Sequence, residues 1–72
     1  MSATFVRLVR STIVRHRYSV KYGTDWLGVV ERVNGSWVAA ARPVDSDQDP
    51  EYCGEFDTRA EAVSRVVELA RL

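Results

Sequence analysis

Features typical of membrane, secreted and disulfide-bonded proteins are scarce in this 72-residue chain. It has one cysteine, Cys53, so no internal disulfide can form, as expected in a reducing compartment. No apolar run approaches the roughly 18 residues that a membrane-spanning helix needs. No export signal is recognisable near Met1. These absences predict a cytoplasmic protein that does not contact a membrane.

Residue types that carry catalysis are equally scarce. The single histidine, His16, has no partner at metal-ligand spacing, and neither a Ser-His-Asp set nor a phosphate-binding glycine loop is present. A nucleophilic pair of Cys53 and His16 would require the fold to bring them within hydrogen-bond reach. The sequence therefore predicts no enzyme, no cofactor and no metal.

An acidic loop between Asp45 and Glu51 has carboxylates at alternate positions, as at the start of a calcium-binding loop. The match then fails, because Pro50 stands where such a loop needs glycine and Phe56 where it needs a bidentate glutamate. We expect a solvated turn without calcium.

Net charge is zero, yet the charges are unevenly distributed. Residues 1–24 contain five cations and no acid, whereas residues 43–72 contain eight acids against three arginines. The two ends could attract each other within one small fold, or the basic end could bind nucleic acid. Under the second interpretation the phosphate contacts would come from Arg15, Arg17 and Lys21.

Size and arginine usage set two further expectations. Seventy-two residues make a single domain, 1–72, with a basic N-terminal segment over 1–22 and a sheet-helix core over 26–72. The core of so short a chain is small, so a dimer is an expected way to bury more apolar surface. Nine arginines against one lysine are typical of a GC-rich genome and favour an actinobacterium or one of its phages as the source.

Alternating polarity and turn residues predict an antiparallel sheet. Residues 17–22 alternate as a strand does, and residues 4–15 are predicted to be extended, with a helix as the alternative. Asn34-Gly35 between two apolar stretches predicts a hairpin. A further short strand follows over 52–56, in which Gly54 indicates a bulge or a close backbone approach.

The hairpin admits two registers. A two-residue turn would place Trp26 and Trp37 on one face of the sheet. A three-residue turn, with Gly35 in a left-handed bulge position, would separate them, and we prefer it because it collects small apolar residues around one aromatic. That register assigns one face to Leu27, Val29, Trp37, Ala39 and Ala41, and the other to Trp26, Val30, Arg32, Val38, Ala40 and Arg42.

One amphipathic helix closes the chain. Thr58 and Glu61 form a capping box, in which the Thr58 hydroxyl accepts from the third helical N–H and Glu61 reaches back to the N–H of the cap residue. An apolar stripe at helical spacing comprises Ala60, Val63, Val66, Val67 and Ala70. The predicted fold is α+β, with a three- to four-stranded antiparallel sheet packed on one face by a single C-terminal helix over about 58–71.

The order of these elements and several residues within 26–62 resemble a known scaffold. The shared residues are Trp26, Gly28-Val29, Arg32, Gly35, Trp37, Ala39, Arg42, Tyr52, Gly54, Phe56-Asp57-Thr58 and Glu61-Ala62. In this pattern the chain resembles the plant ethylene-response-factor (Apetala-type) DNA-binding domain, the integrase arm-type β-β-β-α domain, and uncharacterised small bacterial β-β-β-α domains. The resemblance implies the same sheet-plus-helix fold.

The resemblance also implies a use for the exposed face of the sheet. The plant family reads DNA from that face through arginines and aromatic residues. At the matching positions this chain keeps Arg32, Arg42 and Tyr52, whereas the other positions hold the uncharged residues Leu27, Val30, Asn34, Ala40 and Pro50. We therefore expect the face to associate with protein through the partner surface Trp26, Val30, Arg32, Val38, Arg42 and Tyr52.

The sequence thus predicts a small non-enzymatic binding module, a phage or actinobacterial accessory protein. Its partner would be another protein or a second copy of the chain. The alternative prediction is a DNA-binding domain of the integrase-arm or response-factor type, which would use the sheet together with its basic N-terminal arm.

Overall fold

The computed structural model describes residues 6–42 and 49–70. The elements in chain order are β1 (Val6–Arg10), β2 (Arg17–Tyr22), β3 (Asp25–Val33), β4 (Ser36–Ala41), β5 (Glu51–Phe56) and α1 (Arg59–Ala70). Each strand pairs antiparallel with its neighbours in sequence, so the order across the sheet is β1-β2-β3-β4-β5. The predicted α+β class, an antiparallel sheet with one C-terminal helix, is confirmed.

The sheet has five strands, not the predicted three or four. The additional strand is β1, from the stretch for which extended chain and helix were both considered. Its residue Leu8 lies opposite Val20, and both Val6 and Leu8 pack against the core. Apolar side chains at alternate positions of β1 therefore face the helix side of the sheet, which is why these residues form a strand and not the alternative helix.

A tight connection separates β1 from β2. The Ser11 hydroxyl accepts hydrogen bonds from the backbone N–H groups of Ile13 and Val14, at 3.2 and 3.0 Å. The backbone N–H of Ser11 donates to the Arg17 carbonyl at 2.9 Å, and His16 adopts a positive φ of 60°. These local bonds turn the chain back, which ends the extended conformation predicted over 4–15.

The β3–β4 hairpin has a two-residue turn, so the preferred three-residue turn is wrong. Val33 lies opposite Ser36. Asn34 and Gly35 both have positive φ, 51° and 84°, as a type I′ turn requires. Asparagine tolerates this conformation because its short polar side chain can bond locally, so the chain closes without a third turn residue.

A bulge in β3 nevertheless separates the two tryptophans. Val20 lies opposite Gly28 and Lys21 opposite Trp26, so Leu27 is an extra residue between them. The alternation of side chains is shifted past the bulge. Trp26 lies on the face away from the helix, whereas Trp37 packs against the core. The predicted separation is correct, but its cause is the bulge and not the turn.

A second bulge, in β5, confirms the interpretation of Gly54. Ala39 lies opposite Gly54 and Ala40 opposite Tyr52, which leaves Cys53 as the extra residue. Cys53 is half-buried and packs against the core, while Tyr52 remains exposed on the other face. The bulge thus places two consecutive residues of β5, Cys53 and Gly54, on the helix side of the sheet.

The helix begins after Thr58, whose hydroxyl accepts from the Glu61 backbone N–H at 3.2 Å and donates to Glu61 Oε1 at 3.0 Å. The predicted cap is confirmed on its Thr58 side, and the Glu61 carboxylate bonds the Thr58 hydroxyl. Ala62 and Val66 are fully buried, whereas Ala60, predicted for the apolar stripe, is exposed. The buried stripe is centred on Ala62 and Val66, with Val63, Val67, Leu69 and Ala70 partly buried beside it.

The core lies between α1 and one face of the sheet, the helix side. Its buried residues are Val20, Leu27, Val30, Ala39, Ala41, Ala62 and Val66. Gly28 lies close to both β4 and the helix, since an added Cβ would meet the Ala40 carbonyl oxygen and lie 2.8 Å from Val66 Cγ1. Glycine is needed there because no larger residue fits beneath the helix.

Some predictions fall on other parts of the chain. Residues 1–5, most of the acidic loop and the last predicted helical position, 71, lie outside the described residues. Of the acidic loop, Asp49, Pro50 and Glu51 are described. Within 6–42 and 49–70, no helix has the length and apolarity needed to cross a bilayer.

Candidate functional site

On the face of the sheet opposite α1, the outer face, three rows of side chains run across the strands. Residues paired across strands share a face, so the pairing defines each row. The first row comprises Arg7, Lys21 and Trp26; the second comprises Val9, Ser19, Val29, Ala40 and Tyr52; the third comprises Arg17, Glu31, Val38 and Glu55.

A cleft of about 320 Å³ occupies the centre of the outer face. Its lining residues are Arg17, Trp26, Val29, Glu31, Val38, Ala40, Asp49 and Pro50. The floor is apolar, and charged groups lie at its rim. An apolar cavity of about 150 Å³ already accommodates a benzene ring, so this cleft has room for an aromatic or large aliphatic side chain.

The Trp26 indole N–H is buried beside this cleft, with no hydrogen-bond acceptor among the described residues. A buried donor without a partner typically costs about 1–3 kcal/mol. Because the nitrogen itself is buried, a ligand in the cleft would reach it only if the indole ring moved.

The rim of the cleft contains an ion pair. Arg17 Nε and Nη2 both donate to Glu31 Oε1, at 2.9 and 2.8 Å. The two side chains are 44% and 28% exposed. The pair neutralises both charges beside Val38, which leaves the centre of the outer face without a net charge.

The structure divides the predicted partner surface between the two faces. Trp26, Val38 and Tyr52 lie on the outer face, as predicted. Val30 is fully buried in the core, so its predicted place on the surface is wrong. Arg32 lies opposite Trp37 and so belongs to the helix side.

Both errors have one cause. Relative to the predicted three-residue turn, the observed two-residue turn moves each β3 residue between the bulge and the turn to the opposite face. Arg42, the remaining predicted residue, follows β4, and its backbone N–H donates to the Leu27 carbonyl at 2.7 Å. It is half-buried.

The predicted phosphate contacts do not form one group. Arg15 is exposed in the β1–β2 connection, Arg17 is paired with Glu31, and Lys21 lies on the outer face between Arg7 and Trp26. An arginine that already neutralises a carboxylate has less to gain from a phosphate. Lys21 is the predicted contact whose position on the outer face suits a ligand.

Several outer-face residues were not predicted. Val29 was assigned to the core, whereas Ala40 was correctly assigned to the exposed face but not included in the partner surface; both line the cleft. Val9, on β1, is 43% exposed in the same row. Their alternation with core residues could have identified them, but only once the register of the hairpin was known. Asp49 and Pro50 come from the end of the acidic loop, and no pattern links them to β3.

Cys53 and His16 are not brought together. His16 precedes β2 and Cys53 lies on β5, three strands away, which is roughly 14 Å at the usual strand spacing. Burial raises the pKa of the Cys53 thiol, partly offset by the nearby Arg65 charge and a backbone hydrogen bond at Ala41. Among residues 6–42 and 49–70, no three His, Cys, Asp or Glu side chains converge as a metal site.

No protein-family profile matches the chain, and neither the curated proteins nor the solved structures contain a similar one. The resemblance to response-factor and integrase-arm domains therefore stays a prediction.

Proposed function

We propose that this chain is a non-enzymatic protein-association module and that its outer face is the binding surface. The observation that supports this most is the pairing of an apolar cleft with a neutralised rim on a face that α1 does not cover. Aromatic anchors beside small apolar residues and arginines are typical of the centres of protein interfaces. Trp26 and Tyr52 would be the anchors.

A protein fits this surface better than a free small molecule. Small-molecule sites are usually concave and bury most of their ligand, with volumes of about 300–1,000 Å³. The cleft, at about 320 Å³, is at the lower end of this range, and apolar residues continue beyond it to Tyr52, which is 68% exposed, and Val9. A broad partner that places one side chain in the cleft would use both the cleft and its surroundings.

DNA binding is the second candidate, because the described part of residues 1–24 contains five cations and no acid. Several phosphate contacts are needed for a typical specific complex. Arg17 would first have to leave Glu31. This function predicts an affinity for duplex DNA that falls steeply between roughly 50 and 200 mM salt.

Photo-crosslinking at Tyr52 tests the proposed function. Tyr52 is replaced by the photoreactive residue benzoylphenylalanine, and the chain is irradiated in the cells that express it. Ile13, which is 91% exposed in the β1–β2 connection, provides the matched control. We expect a discrete protein adduct from position 52, either with a second copy or with another protein, and little from position 13.

Equal labelling from both positions, or none from position 52, would contradict protein association through the outer face. Adducts with nucleic acid in place of protein would favour the second candidate. The two candidates therefore give different products in one experiment.

A further inference from the structure

The charges of the outer face are distributed across the sheet. Arg7 and Lys21 lie side by side on β1 and β2. Glu55 lies on β5, and Asp49 lies just before that strand at the rim of the cleft. Since Arg17 and Glu31 neutralise each other, one side of the face is basic, the opposite side is acidic, and the middle is apolar.

We infer that the occupant of the outer face is a second copy of this chain, in a symmetric dimer whose two-fold axis lies between the sheets, parallel to the strands and over β3. This inference rests on the proposed function and specifies its partner. Two copies related by a two-fold axis use the same surface patch, so that patch must be complementary to itself.

Strand order makes the surface self-complementary in this arrangement. The order β1 to β5 is symmetric about β3, so rotation about an axis parallel to β3 places β1 of one copy over β5 of the other. Arg7, on β1, then lies above the β5 side of the second copy, where Asp49 borders the cleft, and Lys21, on β2, lies one strand further in, above β4. Opposite charges meet at both ends of the interface.

The exposed apolar side chains also meet. Val9 and Tyr52 belong to the same row, on β1 and β5, and are 43% and 68% exposed. The rotation places each of them over the other in the second copy. Trp26 and Val29, on β3, then meet their own symmetry mates near the axis, as does Glu31, whose charge is already neutralised by Arg17.

The other face-to-face arrangement is unfavourable. An axis perpendicular to the strands would stack β1 on β1 and β5 on β5. Lys21 would then approach Arg17 of the second copy, and Asp49 would approach Glu55. Like charges across an interface oppose association, so the charge distribution selects the axis parallel to the strands.

The area of the face predicts a reversible dimer. Five strands at about 4.8 Å spacing, with three rows of side chains, cover roughly 450 Å² in projection. The two copies together would bury on the order of 900 Å², below the usual 1,200–2,000 Å² of stable complexes. We therefore expect dissociation constants in the micromolar range or weaker.

Charge reversal tests the inference in sedimentation experiments with the purified chain. Arg7→Glu and Asp49→Lys each create a like-charge contact with the unchanged partner position, so each should weaken the homodimer by about tenfold or more. An equimolar mixture of the two variants should dimerise as the wild type does, because both intermolecular contacts are complementary in the mixed dimer. Arg15→Glu, the same charge change outside the face, should leave dimerisation unaffected.

The results separate this inference from the proposed function. Failure of the mixture to recover would contradict direct contact of positions 7 and 49, and stronger dimerisation of a third variant, Lys21→Glu, would indicate the perpendicular axis; either result overturns the inference. A wild-type chain that stays monomeric up to about 1 mM would overturn it as well. Position-52 adducts with other proteins would then still support protein association. Absence of any adduct at position 52 would contradict both the dimer and the proposed function.

Discussion

The two faces of the sheet are made from the same strands but differ in what covers them. On the helix side, Val30 and Ala39 lie under α1 and are fully buried. On the outer face, their neighbours in sequence, Val29 and Ala40, line an open cleft. The comparison shows that adjacent apolar residues of β3 and β4 build two surfaces, one packed against α1 and one that α1 leaves uncovered.

Aromatic residues show the same contrast. On the helix side, Tyr18 lies 6.1 Å from Trp37 between ring centroids, and the Arg59 guanidinium lies 5.0 Å from the Tyr18 ring centroid. These contacts connect the first turn of α1 to the sheet. On the outer face, Tyr52 is mostly exposed and Trp26 keeps an unpaired indole N–H. On the helix side, the aromatic rings therefore contact other described residues, whereas on the outer face the Trp26 indole N–H has no acceptor among them.

The largest expected effect concerns the close approach of helix and sheet. Gly28→Ala should lower the free energy of unfolding by about 3 kcal/mol, because the new methyl group would meet the Ala40 carbonyl and Val66. Urea unfolding followed by circular dichroism measures this loss. Ser19→Ala, in a row of the outer face, is the control and should change little. An unchanged midpoint for Gly28→Ala would contradict the close approach of Ala40 and Val66 to Gly28.

Neighbouring valines provide the sharpest comparison of the two faces. Val30→Ala should cost about 2 kcal/mol, because it removes two methyl groups from a fully buried side chain. Val29→Ala, on the half-buried outer face, should cost less than about 1 kcal/mol in the monomer. Urea unfolding at low protein concentration compares them directly. The opposite ranking would support the three-residue turn, which places Val29 in the core.

The ion pair on the outer face should contribute little to stability. Glu31→Gln should cost about 0.5 kcal/mol, because the pair with Arg17 is partly exposed. Glu68→Gln, which breaks the 2.7 Å pair with Arg65 on α1, is the matched control and should cost about as much. Glu31→Gln also releases Arg17. A duplex-DNA affinity that rises in this variant at low salt would favour the second candidate function.

The smallest effect is a pH dependence on the helix side. Burial raises the pKa of Cys53, so the unfolded chain loses this proton at a lower pH than the folded chain does. The contribution of this difference to the free energy of unfolding is fully present below the pKa of the unfolded chain and is lost as the pH rises above about 9. Thermal unfolding should therefore show a steeper decline above this pH in the wild type than in Cys53→Ala. Identical slopes would contradict burial of the thiol.

Local features of the fold could be predicted from the sequence. The helix and its cap depend on residues within one turn, so Thr58 and Glu61 predicted the helix start from their spacing alone. Asn34-Gly35 likewise predicted the position of the hairpin turn. Both predictions depend on interactions between residues close in sequence, and one sequence is enough to identify such interactions.

The assignment of faces could not be predicted, because it depends on tertiary packing. One residue of offset moves every side chain of a strand to the other face, and the offset here is decided jointly by the turn and by the bulge at Leu27. This is why Val30 and Arg32 were expected on the partner surface. Gly28 could have indicated an irregularity in β3, since glycine inside a strand often marks a bulge or a close approach.

The two tryptophans allow the most direct test, since one lies on each face. Their indole N–H signals can be followed by two-dimensional NMR as the concentration of the purified chain rises from about 20 µM to 1 mM. Self-association through the outer face predicts that the Trp26 signal shifts with concentration while the Trp37 signal stays in place. A shift of Trp37 with Trp26 unchanged, or two signals that never move, would contradict it.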